Sequence, residues 1–100
     1  MATILTGADK RTLRALGNGL KVTIYIGKQG LSEDVLQAIA DAHEHAELLK
    51  LKVLETCPLD RHEAAAALEE HSGSQLVQVL GRTILLFRRD PENPKISLRS

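Results

Sequence analysis

Tryptophan is absent from this chain, and its aromatic side chains are a single tyrosine, Tyr25, and a single phenylalanine, Phe87. A core must therefore be built from Leu, Ile, Val and Ala, and few rings are available for stacking bases. The lone cysteine, Cys57, excludes an internal disulfide and fits a reducing compartment. Charge interrupts the apolar residues too often for the run of about 18 that could span a bilayer, so a soluble protein is expected. No basic leader and cleavage site follow Met1-Ala2-Thr3-Ile4, which makes the cytoplasm the expected compartment. A length of 100 residues suits one domain over 1–100, with a core from about 6 to 89 and an extended tail over 90–100.

Net charge is also absent, which would ordinarily argue against a nucleic-acid partner. Its distribution argues the other way. Residues 1–30 carry Lys10, Arg11, Arg14, Lys21 and Lys28 against Asp9 alone. Residues 82–100 carry Arg82, Arg88, Arg89, Lys95 and Arg99 against Asp90 and Glu92. The middle has Lys50, Lys52 and Arg61 against ten acidic residues from Glu33 to Glu70, Glu47 among them. If the two ends meet in space, the chain has one basic and one acidic face. The expected basic surface is continuous, borders the loop described below, and includes Lys10, Arg14, Lys28 and Arg88.

Hydrophobic periodicity predicts the order αβαβαββ. Thr6 and Asp9 suit a helix start, Leu13 and Leu16 follow at helical spacing, and Gly17 reads as the stop. Val22-Thr23-Ile24-Tyr25-Ile26 alternates as a strand. Ser32 caps a second helix that fades near His45, and Leu49, Leu51 and Val53 mark a second strand. Asp60 and Glu63 open a third helix, rich in alanine, that runs up to Gly73. Residues 76–80 and 83–87 read as a hairpin around Gly81-Arg82, with glycine first as a type II′ turn requires. Two helical crossovers, expected to be right-handed, together with this hairpin make the sheet mixed and four-stranded. The fold class is α/β in the two-layer α+β sense.

Between the first strand and the second helix stands Gly27-Lys28-Gln29-Gly30. Glycines there let the backbone turn sharply and approach a ligand, while N–H groups at the helix start favour an anion. Lys28 adds a positive charge to the same place, and KH domains clamp nucleic-acid backbone with such a GXXG loop. Glu33 and Asp34 in the helix's first turn would repel a phosphate on the axis, which puts the phosphate over the loop beside Lys28. A simple strand-to-helix turn also accounts for two glycines at this spacing. Tyr25 could stack a base, but packing under the first helix is the favoured role.

The wider pattern is more specific. Ile26-Gly27-Lys28-Gln29-Gly30-Leu31-Ser32 follows a strand, the next helix ends near His45, and Leu49, Leu51 and Val53 mark the next strand. Val77-Gln78-Val79-Leu80-Gly81-Arg82-Thr83 and Lys95-Ile96-Ser97-Leu98 come later. From about Thr6 to Leu98 the chain resembles the stand-alone bacterial members of the CRM, or YhbY, family. That resemblance implies a mixed four-stranded sheet with helices packed on it, similar to the C-terminal domain of translation initiation factor three. It also implies RNA binding. Stand-alone bacterial members are associated with precursors of the large ribosomal subunit, and plant relatives with organellar intron splicing. The family's RNA-contacting loop falls on Gly27, Lys28, Gln29 and Gly30, with Lys10, Arg11 and Arg14 as basic neighbours.

Other chemistry finds little footing. His43 and His45 would point about 200° apart on a helix, and His62 and His71 lie elsewhere, so no metal is expected. Cys57 has no evident base or oxyanion site, and no GxxxxGK run marks a nucleotide loop. The expectation is a noncatalytic, monomeric RNA-binding protein without cofactor, acting on ribosomal RNA. The alternative is a protein-interaction module that docks a ribosomal or other protein partner.

Overall fold

The computed structural model describes residues 4–98, so Met1, Ala2, Thr3 and the basic Arg99 lie outside the described residues. Helix α1 spans Gly7–Gly17 and β1 Ile24–Ile26; α2 spans Glu33–His43 and β2 Leu48–Val53. They are followed by α3 Arg61–His71, β3 Gln75–Leu80 and β4 Thr83–Phe87. The predicted αβαβαββ order is the observed one.

Capping explains where the helices begin. The Asp9 amide donates to Thr6 Oγ1 at 3.0 Å and the Thr6 amide to Asp9 Oδ2 at 3.1 Å. Asp60 and Glu63 make the same reciprocal box at α3, and Ser32 Oγ accepts from the Val35 amide at α2. α1 ends at Gly17 as expected, but not through a left-handed conformation, since the φ of Gly17 is not positive. Instead it allows close packing, because a Cβ there would lie 2.5 Å from Leu85 Cδ1. The hairpin loop agrees with the type II′ expectation: Gly81 has φ +59°, and no residue other than glycine has positive φ among those described.

The sheet order is β1-β2-β4-β3. β1 pairs in parallel with β2, placing Ile24 opposite Leu51, Tyr25 opposite Lys52 and Ile26 opposite Val53. β4 pairs antiparallel with both β2 and β3, with an irregularity between Leu76 and Gln78. The pairing with β1 begins before the strand proper, where the Thr23 amide donates to the Lys50 carbonyl at 3.1 Å.

Alternation along the strands builds two apolar clusters. Ile24, Ile26, Leu49, Leu51, Val53, Ile84 and Leu86 face Ile39 of α2 and Ala64, Ala65 and Leu68 of α3. This is the two-layer body expected from the sequence. On the other face Leu48, Val77, Leu85 and Phe87 meet Leu13 of α1, with Leu5, Ile96 and Leu98 packed beside them. The first helix and the tail thus add a partial third layer over β2, β4 and β3 and leave β1 uncovered on that face. Among the described residues no helix is long and apolar enough to cross a membrane.

Candidate nucleic-acid interface

The chain leaves β1 at Ile26 and reverses within four residues. The Gly30 amide donates to the Gly27 carbonyl at 2.9 Å, closing a β-turn whose tip, Lys28 and Gln29, is exposed. Gly30 sits at φ +62° against Pro58, in the left-handed region that favours glycine. Gly27 differs. Its φ is not positive, and a Cβ there would meet Thr56 Oγ1 at 3.5 Å and Leu54 Cδ1 at 3.7 Å, ordinary contacts. The fold therefore requires glycine at 30 and tolerates a small side chain at 27.

Helix α2 begins directly behind this turn. Ser32 satisfies the Val35 amide, and the first turn carries the exposed acids Glu33 and Asp34. Among the described residues no acid pairs with Lys28, so its ammonium is free for a ligand at the loop tip.

Beside the loop, the β2–α3 connection and the hairpin turn enclose an open cleft of about 570 Å³, bordered by Val53, Pro58, Asp60, Arg61 and Arg82. Its acids are already engaged. Asp60 accepts from the His62 and Glu63 amides at 2.8 and 2.9 Å, bonds that hold its carboxyl below the usual value, the Glu63 amide foremost. Glu55 approaches Arg82 at 3.9 Å. Cys57 is a half-buried free thiol in the same wall. Among the described residues no group of three His, Cys, Asp or Glu could hold a metal ion.

The expected continuous basic surface is not formed. Lys28 extends beyond the Ile26/Val53 end of the sheet, whereas Arg88 follows Phe87, which is in register with Leu48 and Gln75 at the opposite end. The six residues of β2 separate those ends by about 17 Å. Lys10 belongs with Arg88: it borders a groove with Gly73, Ser74 and Gln75, and a Cβ on Gly73 would lie 3.8 Å from Arg88 Nη1. Arg14, one turn on, faces the same side of α1, over the β3 edge, while β1 and its loop form the other edge. Arg11 is exposed and Arg14 half-buried. The basic residues are thus divided between the two ends of the sheet by strand direction and register, which put the loop after β1 beyond Val53 and the chain after β4 beside Leu48.

Two further expectations are corrected. Tyr25 does not pack under α1; it is 54% exposed, because α1 lies over the other strands. Glu47 does not belong to an acidic face. It is 2% exposed, and its carboxylate accepts from the amides of Asp90, Lys95 and Ile96 at 2.7 to 2.8 Å and from Arg89 Nη1. Burial alone would raise its pKa, but these donors together hold it below 4.5. His43, set aside as a metal ligand, is likewise buried, with Nδ1 3.0 Å from the Ala46 carbonyl and Nε2 2.7 Å from Ser74 Oγ.

Known proteins share this organisation. The model of the CRS1 / YhbY (CRM) domain matches residues 5–88. "Probable RNA-binding protein YqeI" of Bacillus subtilis is 41% identical over 95 residues, covering 95% of this chain and 99% of that protein. "Probable RNA-binding protein PA4753" of Pseudomonas aeruginosa is 32% identical, covering 91% of this chain and 88% of its own length. The solution structure of the hypothetical protein SAV1595 from Staphylococcus aureus superposes with a TM-score of 0.80 at 40% identity, covering 95% of this chain and 99% of that one. With the domain match spanning both crossovers, the loop and the hairpin, the chain belongs to the CRS1/YhbY (CRM) domain family.

Proposed function

We propose that this protein binds RNA without catalysing a reaction, that it grips the RNA backbone at Gly27-Lys28-Gln29-Gly30, and that its target is ribosomal RNA in precursors of the large subunit. The observation that carries the reading is the loop itself. A closed turn presents an unpaired Lys28 at its tip, immediately before the N-terminus of a capped helix. Backbone N–H groups, the helix dipole and an ammonium then act on one phosphate, and Glu33 and Asp34 favour a position over the loop rather than on the axis. Family membership and the names of the relatives support RNA as the ligand. The protein would act as a cytoplasmic monomer and need no cofactor.

Lys10, Arg11, Arg14 and Arg88 join this reading as a second group of contacts at the far end of the sheet, reached by a longer or folded RNA. With two aromatic residues in the chain, recognition depends on backbone and shape more than on base identity. A salt titration against structured ribosomal RNA tests the binding: log K should fall linearly with log salt as phosphate counterions are released. Sucrose-gradient fractionation of cell extract tests the target. Absence from large-subunit precursors would remove the assembly role and leave RNA binding in place.

A further inference from the structure

The face of the sheet opposite α2 and α3 is covered unevenly. α1 and the tail bury Leu48, Leu85 and Phe87, but among the described residues neither packs its apolar side chains over β1. Ile24 and Ile26 point into the α2 side, so Tyr25 between them projects onto this bare face, where it is 54% exposed. Lys52 stands directly opposite Tyr25 across the parallel pair and is exposed, and Thr83 is the next residue along that row. Lys50, two residues earlier on β2, reaches back to the Gly17 carbonyl at 3.3 Å and so marks where α1's cover ends. The strand positions that make up this patch are tyrosine, lysine and threonine, with no carboxylate among them. Tyr25 is also only three residues from Lys28, a chain reach of about 10 Å.

We infer that Tyr25 and Lys52 form a stacking step for a single unpaired RNA nucleotide, with the base on the tyrosine ring and a phosphate at Lys52, next to the backbone grip at the loop. The inference rests on the RNA-binding reading above and deepens it. An exposed ring offers a π-face that every base can use, and an unpaired base can leave its own stack to meet it. Charge selects the occupant: Lys52 stands beside the ring and Lys28 follows three residues on at the loop tip, and a polyanion neutralises both. Duplex RNA keeps its bases stacked inside and would engage the loop without the ring.

Tyr25 is the only tyrosine in a protein that lacks tryptophan, so intrinsic emission reports on this side chain directly. Full-length protein is titrated with a short end-labelled single-stranded RNA and with a blunt duplex of the same sequence. Label anisotropy gives affinity, and tyrosine emission reports stacking. The single strand should quench the emission and the duplex should not. Tyr25→Leu should weaken single-strand binding roughly ten-fold and leave duplex binding nearly unchanged. Tyr25→Phe, which keeps the ring, should bind close to wild type, and Lys52→Ala should lower the single-strand salt slope by about 0.7. Circular dichroism confirms that each variant folds. Single-strand binding with unchanged emission and a silent Tyr25→Leu would overturn the stacking step while RNA binding stands. An equal loss in Tyr25→Phe and Tyr25→Leu would overturn it as well, and failure of both strand forms to bind would overturn both readings.

Discussion

Glu47 and Arg89 form an ion pair that joins the start of β2 to the chain just past β4, with Glu47 Oε2 3.2 Å from Arg89 Nη1. The guanidinium also donates to the Ile96 carbonyl at 2.8 Å and lies 5.5 Å from the centre of the Phe87 ring. Three tail amides complete the carboxylate's shell. One buried acid therefore organises the tail against the α1 side of the sheet, where Ile96 and Leu98 add to the second cluster.

Glu47→Ala should accordingly cost about 3 kcal/mol in urea unfolding, since it strands a partly buried arginine and three amides. Hydrogen exchange at Lys95 and Ile96 should accelerate more than exchange in β2. Unchanged protection of those two amides would contradict the role given to Glu47.

Two groups give stability the same pH trend, in windows that open at different pH. Burial holds the His43 pKa below 6.5 against the opposing pull of the Ala46 carbonyl, with Arg88 lowering it further and Glu47 raising it. The unfolded chain therefore takes up a proton first, so this contribution is complete above pH 6.5 and is lost as pH falls from there through the folded value. The Glu47 contribution is present above pH 4.5 and is lost as pH falls through its own lowered value. Urea midpoints measured against pH should decline in both windows, and His43→Gln should flatten the upper one alone. An upper window unaffected by that variant would assign it to another group.

Gly17→Ala should destabilise by about 1–2 kcal/mol despite alanine's better helix propensity, because the added methyl runs into Leu85, itself held among Leu13, Val77 and Phe87. Double substitution with Leu85→Val should recover part of the loss. A gain in stability from Gly17→Ala alone would show that Leu85 moves aside freely.

Much of the fold is local and was therefore legible. Thr6 with Asp9, Ser32, and Asp60 with Glu63 mark helix starts through bonds made within three residues, and Gly81 fixes the hairpin by its own φ. The partners of Glu47 are more than 40 residues away in sequence, and nothing near Glu47 distinguishes it from the solvated acids around it. The exposure of Tyr25 depends on which strands α1 covers, which the alternation of β1 does not reveal. Lys28 was singled out by its glycines, yet its distance from Arg88 follows from the antiparallel pairing of β2 with β4, a long-range property. Had that pairing been anticipated, the loop after β1 and the chain after β4 would have been placed at opposite ends of the sheet and the basic residues divided into two groups.

The loop mechanism is tested most directly by two substitutions that the fold tolerates. Gly30→Asp is a poor probe, since φ +62° would add backbone strain to any effect on the ligand. Gly27→Ala meets only ordinary contacts, and Lys28→Glu alters an exposed side chain, so unfolding free energies in urea should stay within about 0.5 kcal/mol of wild type. The decisive measurement is the affinity of both variants for structured ribosomal RNA as a function of salt, with Glu70→Lys, an exposed position of α3 outside the Lys10 groove, as the control. Both loop variants should bind more weakly, Lys28→Glu should lower the salt slope by about one unit, and the control should match wild type. Folded loop variants that bind with wild-type affinity and slope would contradict an RNA grip at Gly27-Lys28-Gln29-Gly30.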